Sequence, residues 1–337
     1  MSKVTIYDVA KKANCSTATV SLVLKKSNRI KPETAKAVMD VVEQLGYTPN
    51  YIAQSLSSKA TNTLGLIVPN VENPLFSMMI SGIEDYANSK GYNLILGITN
   101  ATSEKESFYL DMLQRKQVDG LILFPSFLGT LTKKVEYLSQ MRTPIILCGS
   151  SGSEMKNISY VKCDNRLGSY TAVNHLVDIG CRRIGCIFPV TDEQQYKSRL
   201  IGYQDALRNC GIPFREELIR VCTPDNDSIF NATLTLLKEQ KPDGIFCLYD
   251  YSAITVMRAV FCAGLRIPED IAIIGYDNIK MSGFLPVPLS SIDTHSQEVG
   301  QKAAEILMQK ISDPDEQVHQ VILKPDLIIR ESTDRPR

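Results

Sequence analysis

The strongest constraint on the fold is an alternation of short apolar runs and amphipathic segments that begins at Thr63. The runs LGLIVPN, NLILGIT, DGLILFPS and PIILC are typical of strands buried on both faces of a parallel sheet. Segments with helical spacing separate them, and the order repeats through RRIGCIF, DGIFCLYD and IAIIGYD. Strands and helices in this order, joined by right-handed crossovers, predict an α/β fold.

This α/β region is too long for one core. It spans about 270 residues, more than a single hydrophobic core comfortably supports. The pattern before about residue 161 also resembles the pattern after residue 183. We therefore predict two similar lobes.

The first 60 residues follow a different, helical pattern. Thr5, with an acidic residue three positions later, predicts the start of a short helix, and Ser16 predicts the start of a second. Asn14 lies in the tight turn between them, which is typical of a helix-turn-helix. A third helix is expected to begin at Pro32 and end at Gly46. The alternative is a plain three-helix bundle.

The polar face of the second helix weighs against that alternative. Ser16, Thr17, Ala18 and Ser21 are short enough to let the helix enter a major groove. Residues 1–60 also hold nine basic and four acidic side chains, a net charge of +5, although the whole chain has a formal charge of zero. A basic end on an acidic body predicts a polyanion-binding region.

The segment after the third helix is predicted to be a short helix and linker. Pro49 favours a helix start, and Leu56 is placed to act as an apolar wedge in a minor groove.

TIYDVAKKANCSTATVSLVL and ETAKAVMDVVEQLGYTPNYIAQSL resemble the head-piece of the lactose-repressor/galactose-repressor family of bacterial transcription regulators. The resemblance implies an all-α helix-turn-helix DNA-binding head (residues 1–48), a hinge helix and linker (49–61), and a two-lobed α/β sensor domain (62–337). That domain would resemble periplasmic binding proteins, bind the effector between its lobes and dimerise. The implied lobes are about 62–161 plus 293–322, and about 162–292 plus 323–337.

The resemblance also implies which residues of the head and hinge contact DNA. The implied set comprises Thr5, Tyr7, Ser16, Thr17, Ala18, Ser21, Leu22, Arg29, Tyr47, Asn50, Ala53 and Leu56. Leu22 departs from the family, in which arginine or histidine is frequent at this position. A leucine packs on a thymine methyl group but makes no bidentate contact to guanine, so we expect an altered operator.

A second rule selects effector-binding residues, because open α/β sheets bind ligands at the carboxyl ends of their strands. It selects Asn70, Asn73, Phe76, Pro125, Ser126, Arg199, Asp250 and Asp277. An arginine, acids and amides around an aromatic ring suit a polar ligand such as a sugar or a nucleobase. The resemblance adds weight to Phe76, Arg199 and Asp277, and it adds Tyr249, where many sugar-responsive members carry asparagine.

Each of these residues also has a purely structural interpretation. Asp250 and Asp277 are placed to cap the helices that follow them. In the structural interpretation, Phe76 is a core residue and Arg199 pairs with a surface acid.

Nothing in the sequence predicts an enzyme. The three histidines, His175, His295 and His319, lie far apart, and no nucleophile elbow, P-loop, dinucleotide-binding or zinc-protease motif occurs. The nine cysteines are scattered without a CxxC pair, so we predict no metal site and no cofactor. The absence of an export signal and of a membrane span predicts a cytoplasmic protein.

We therefore predict a sequence-specific DNA-binding transcription regulator, a repressor, whose operator affinity is modulated by a small molecule such as a sugar or a related metabolite. One head buries too little surface to select an operator, so a homodimer on a palindromic double-stranded site is expected, without a membrane partner. Two alternatives stay open. The same head could be controlled by a protein co-regulator, or the chain could be a solute-binding protein.

Overall fold

The structure is a computed structural model that describes residues 4–24, 29–47, 60–114, 118–125, 144–149, 157–189 and 193–335. The chain folds as two units, residues 1–61 and 62–337, which we call the head and the body. Within the described ranges, none of the helices combines the length and the apolar character needed to cross a bilayer.

The head contains three helices: α1 (Ile6–Lys12), α2 (Thr17–Leu24) and α3 (Pro32–Leu45). The carboxylate of Asp8 accepts a hydrogen bond from the backbone N–H of Thr5 at 2.8 Å, and Ser16 Oγ accepts one from Thr19 N at 3.1 Å. These bonds satisfy amide groups at the starts of α1 and α2. Asn14 has a φ of +50° in the turn between the two helices, as predicted.

A small apolar core closes the head. Val9, Val20, Val23 and Val38 are buried where the three helices meet. Gly46 ends α3 in the left-handed region at φ +58°, which a residue without a Cβ adopts at little cost.

The body contains two six-stranded sheets. The elements that build the first sheet and its helices are β1 (Thr63–Val68), α4 (Pro74–Ser89), β2 (Asn93–Ile98), α5 (Ser103–Gln114), β3 (Gly120–Leu123), β4 (Ile145–Cys148) and β5 (Ser159–Cys163). Those of the second are α6 (Asn165–Asp178), β6 (Ile184–Pro189), α7 (Glu193–Asn209), β7 (Ile219–Cys222), α8 (Asn226–Gln240), β8 (Gly244–Cys247), α9 (Asp250–Cys262), β9 (Ala272–Tyr276) and β10 (Ser290–Asp293). Three elements close the chain: α10 (Ser296–Ser312), β11 (Gln320–Leu323) and β12 (Asp326–Ile328).

The chain passes from one sheet to the other after β5, after β10 and after β11. The first sheet has the order β11-β5-β4-β3-β1-β2, and the second has the order β12-β10-β9-β8-β6-β7. All pairs are parallel except β10 with the edge strand β12. The closing strands therefore belong to different sheets, and the carboxyl ends of the parallel strands in each sheet carry the loops that form the site.

Helix α10 packs on the first sheet beside α4 at very short range. A Cβ at Gly82 of α4 would lie 2.0 Å from the carbonyl oxygen of Gln297, and a Cβ at Gly300 of α10 would lie 2.1 Å from that of Met79. Only glycine fits at these two positions. The contact holds the returning chain firmly in the first lobe.

Candidate functional site

A cavity of about 480 Å³ lies between the strand ends of the two sheets, which is within the usual size range of small-molecule sites. One side, here called the first-sheet wall, includes Asn70, Asn73, Phe76, Asn100, Phe124, Pro125, Cys148 and Lys162. The opposite side, the second-sheet wall, includes Pro189, Arg199, Tyr249, Tyr251, Ser252 and Asp277. A ligand in this cavity would contact both lobes.

The first-sheet wall is mainly aromatic and amide in character. The rings of Phe76 and Phe124 meet edge to face, with centroids 5.8 Å apart. Asn73 caps α4, because its side-chain oxygen accepts a hydrogen bond from Leu75 N at 3.0 Å. Its own backbone N–H donates to the side chain of Asn70 at 3.0 Å. This wall therefore offers a rigid apolar edge next to polar amides.

The second-sheet wall contains a buried arginine held by two aromatic rings. The guanidinium carbon of Arg199 lies 3.9 Å from the ring centre of Tyr276 and 4.8 Å from that of Tyr249. One terminal nitrogen donates to the carbonyl oxygen of Leu248, at the end of β8. Stacking on both rings fixes the plane of the guanidinium group.

Asp277 faces this arginine. Its Oδ1 lies 3.6 Å from a terminal nitrogen of Arg199, and the residue is 1% exposed. Burial raises the pKa of Asp277 well above its usual value, although Arg199 opposes the rise. Among the described residues, no hydrogen-bond partner reaches the Nε of Arg199 or either carboxylate oxygen of Asp277. Buried groups of this kind are normally satisfied, so these three atoms are candidates for ligand contact.

The backbone holds Asp277 in an uncommon conformation. Its φ is +103° and that of Asn278 is +49°. Hydrogen bonds support the turn: the N–H of Asp277 donates to the carbonyl oxygen of Ile292 at 2.8 Å, and Arg330 donates to the side chain of Asn278 at 2.7 Å. A strained turn held by its surroundings is typical of a binding site.

Asp250 lies behind this turn and does not line the cavity. Its carboxylate accepts hydrogen bonds from Ser282 Oγ at 2.6 Å, Ser291 Oγ at 2.7 Å and the N–H of Ile279 at 3.0 Å. Burial raises its pKa to about 6. Gly275 makes room for it, because a Cβ there would lie 2.0 Å from Oδ1 of Asp250. Asp250 thus anchors the loop that carries Asp277.

The exposed surface of the head matches the predicted DNA-contacting face in part. Tyr7 is 74% exposed, and Thr5, Ser16, Ala18, Leu22 and Arg29 are also exposed. Thr17 and Ser21 are half-buried on α2. Tyr47 instead packs against the head core. Asn50, Ala53 and Leu56 lie outside the described residues, as does Ser126 of the body.

Comparison with known proteins places both units in a family. Residues 5–50 match the family model "Bacterial regulatory proteins, lacI family", and residues 173–333 match a periplasmic binding protein-like domain. The HTH-type transcriptional repressor PurR of Aliivibrio salmonicida is 33% identical over 98% of this chain and 99% of its own length.

The chain belongs to the LacI family of bacterial regulatory proteins. The ribose operon repressor of Haemophilus influenzae is a second relative, 33% identical over 97% of this chain and 98% of its own length. The predicted function, a DNA-binding transcription regulator controlled by a small molecule, is confirmed at the level of the family.

Solved structures confirm the predicted fold of this LacI-family protein. A Lac repressor structure bound to ONPG has a TM-score of 0.86 over 98% of this chain and 100% of its own, at 24% identity. A LacI-family regulator from Enterococcus faecium with bound ribose has a TM-score of 0.71 over 80% of this chain and 98% of its own, at 29% identity. A helical head on a two-sheet, periplasmic-binding-protein-like body is therefore shown.

The structure brings seven of the predicted effector residues of this LacI-family protein together. One cavity is lined by Asn70, Asn73, Phe76, Pro125, Arg199, Tyr249 and Asp277. The capping interpretation of Asp277 does not hold, because the short 3-10 helix that follows has Ile279 at its N-cap. Arg199 lies seven residues into α7 and is buried, not at a surface ion pair.

Asp250 is the residue that the strand-end rule misplaced. It does follow a strand end, but its carboxylate is turned towards Ser282 and Ser291 and away from the cavity. These bonds also replace the predicted capping of α9. The position of a residue in the sequence shows that it lies near a strand end. The direction of its side chain depends on which hydrogen-bond donors the fold places around it.

Sequence reasoning missed several lining residues of this LacI-family protein. Asn100, Lys162, Asn165 and Thr294 all contact the cavity. Lys162 lies in β5, SYVKC, and Asn165 lies two residues after it. The apolar pattern does not predict this strand, because a lysine interrupts the run. That lysine was the available signal, since a charged residue near the end of a buried strand needs an environment that solvates it.

Within the described ranges, no cluster of three or more His, Cys, Asp or Glu side chains is suited to a metal ion. Cys148 and Cys163 line the cavity, and burial raises the pKa of the Cys163 thiol to about 12. His175 packs within the second lobe, with Nε2 2.8 Å from Thr333 Oγ1.

Proposed function

We propose that this protein is a cytoplasmic, homodimeric repressor whose affinity for a palindromic operator is set by a hydroxylated small molecule, of the sugar class, bound in the cavity. It would act by binding alone, without catalysis or a cofactor. The proposed division is a head (1–48), a hinge (49–61) and an effector-binding, dimerising body (62–337), with the α2 face of the head in the major groove.

The observation that carries this proposal is the buried Arg199–Asp277 pair with its three unsatisfied polar atoms. Ring hydroxyls both donate and accept hydrogen bonds, so one sugar ring would satisfy the carboxylate of Asp277 and the Nε of Arg199 together. Phe76 and Tyr249 line the same cavity, and aromatic side chains suit the apolar side of such a ring. A ribose-bound relative and a ribose operon repressor support the same ligand class.

The fold supplies a physical link between ligand and DNA. A ligand that contacts both walls favours the arrangement of lobes in which both contacts form, and the three crossings between the sheets let the lobes rotate. In a dimer, a change in lobe angle would alter the spacing of the two hinge segments, so ligand binding and DNA affinity would be coupled. Coupling of about 1–3 kcal/mol is typical and corresponds to a change of roughly 5- to 150-fold in operator affinity.

The decisive experiment begins with selection of bound sequences from a pool of random duplexes at two salt concentrations. We expect a palindrome, because a twofold dimer presents two heads. Fluorescence anisotropy on that palindrome, with a panel of pentoses, hexoses and nucleosides, then identifies the effector. Binding that is salt-sensitive but shows no sequence preference would contradict the proposal and favour a solute-binding protein.

Two variants assign the effector site. Arg199→Ala should retain operator binding and lose the response to the effector. The matched control is Arg266→Ala, an exposed arginine in the same lobe that pairs with Asp270 at 2.9 Å. It should respond as the wild type does. A normal response from Arg199→Ala would show that the buried pair is structural.

A further inference from the structure

Lys162 is a charged residue on the cavity wall that the proposed function leaves unexplained. Four described lining residues carry charge: Glu72, Lys162, Arg199 and Asp277. Arg199 and Asp277 face one another, and Glu72 is exposed to solvent. Lys162, on the first-sheet wall, is half-buried, and no described residue provides an opposing charge of this kind.

The surroundings of Lys162 place its amine without neutralising it. Its Nζ lies 5.3 Å from the ring centre of Tyr160, two residues earlier on the same face of β5. Burial lowers the pKa of Lys162, and Asp164 opposes this change. Asp164 is occupied as the N-cap of α6, where Oδ1 accepts from Leu167 N at 3.0 Å. No described carboxylate lies within ion-pair distance of the Lys162 amine.

We propose that the effector carries an acidic group, a phosphate ester or a carboxylate, that binds the ammonium group of Lys162. This inference rests on the proposed function and narrows it from a hydroxylated ligand to an acidic, hydroxylated one. A charge-assisted hydrogen bond in a half-buried site is about twice as strong as a neutral one. Asn165, the first residue of α6, lines the same cavity, and its side-chain N–H groups are donors suited to an anion.

The two walls also determine how such a ligand lies. Burial already disfavours the ionised form of Asp277, and an anionic group beside it would disfavour that form further and weaken its pairing with Arg199. The acidic group therefore points to Lys162 on the first-sheet wall, and the hydroxylated ring points to Arg199 and Asp277 on the second. A ligand with both groups would bridge the lobes through polar contacts at each end.

The test is isothermal titration calorimetry of the full-length protein with matched compounds. The first set is glucose, glucose phosphate and glucuronate, and the second is ribose and ribose phosphate. In the wild type, at least one acidic compound should bind about tenfold or more tightly than its neutral counterpart. Comparison of the phosphate with the uronic acid distinguishes the two kinds of acidic group.

Three variants assign that preference to Lys162. Lys162→Gln should reduce the ratio of the two affinities to about one, while Lys162→Arg, which keeps the charge, should preserve most of it. The matched control is Lys90→Gln, because Lys90 also lies over a tyrosine ring, 5.6 Å from the centre of Tyr86, but outside the cavity. It should bind as the wild type does. Unchanged melting curves and unchanged affinity for the neutral compound show that Lys162→Gln is folded.

The possible results separate the two proposals. Equal or tighter binding of the neutral compounds would overturn the acidic ligand and leave the proposed function intact. An acidic preference that persists in Lys162→Gln would overturn the role of Lys162. If none of the compounds binds, the sugar-class effector itself is wrong, and the acidic effector is wrong with it.

Discussion

The two walls of the cavity solve different physical problems. The second-sheet wall holds an arginine and an aspartate that are both almost fully buried, with polar atoms left unsatisfied. The first-sheet wall holds the Phe76–Phe124 edge and one half-buried amine. Burial of the charged pair is unfavourable unless its remaining hydrogen bonds are made. The second-sheet wall therefore presents unsatisfied polar atoms of a buried charged pair to the cavity, whereas the first-sheet wall presents an aromatic edge, polar amides and one amine.

The second-sheet wall also shows how two neighbouring carboxylates take different roles. Asp250 has three hydrogen-bond donors, whereas Asp277 has none among the described residues. Each is buried, and Asp250 is one of the charges that raise the pKa of Asp277. The satisfied carboxylate holds the loop, and the unsatisfied one faces the cavity.

The largest effect is expected when the charged pair on the second-sheet wall is broken. Arg199→Ala leaves Asp277 buried without its partner, so the free energy of unfolding should fall by about 3–5 kcal/mol. Urea unfolding measures this change. The double variant Arg199→Ala/Asp277→Ala should recover part of the loss. If the double variant is no more stable than Arg199→Ala, the two charges are not coupled, and the contrast between the walls is weaker than described.

A smaller effect is expected from pH. Burial raises the pKa of Asp250 from an ordinary 3.8 to about 6. Between these two values the folded protein keeps a proton that the unfolded chain has released. The free energy of unfolding therefore falls as pH rises through this range. The contribution of Asp250 to this fall is about 3 kcal/mol at most, and it is complete above pH of about 6.

The measurement is the difference in unfolding free energy between the wild type and Asp250→Asn at several pH values. That difference should shift by up to about 3 kcal/mol between pH of about 4 and about 7. Asp270→Asn is the control with the opposite sign, because its hydrogen bonds to Arg266 lower the pKa of Asp270. If the difference in unfolding free energy between the wild type and Asp250→Asn does not change with pH, the pKa of Asp250 is not raised.

The smallest effect is expected from the aromatic edge of the first-sheet wall. Phe76→Leu keeps most of the apolar volume and removes the ring, so the affinity for the tightest compound of the panel should fall about tenfold or less. The pH dependence of stability should match that of the wild type. Phe108→Leu is the control, because Phe108 also meets an aromatic ring, that of Tyr109 at 5.5 Å, but outside the cavity. If Phe76→Leu loses the effector response completely, as we expect of Arg199→Ala, the distinction between the walls does not hold.

The features of this protein that could be predicted are those that depend on local sequence patterns. Apolar runs at regular intervals specified buried parallel strands, and capping residues specified the ends of the head helices. The strand-end rule then placed Asn73, Phe76, Arg199 and Asp277 around one site, because the carboxyl ends of parallel strands share one edge of a sheet. The same rule failed for Asp250, whose side chain turns towards Ser282 and Ser291.

What the sequence alone determined is the two-unit architecture, the LacI-family resemblance and the neighbourhood of the cavity. The tertiary structure decided which polar atoms are satisfied. Asp250 and Asp277 look equivalent in the sequence, each just after an apolar strand. Residues 29 to 41 positions away donate hydrogen bonds to the Asp250 carboxylate, and no described residue does so for Asp277. Likewise, the sequence does not distinguish Lys162 from the other lysines, and only the position of β5 beside the cavity does so. A carboxylate or an amine acquires its role from the donors and charges that folding brings beside it, and a linear pattern does not contain those distances.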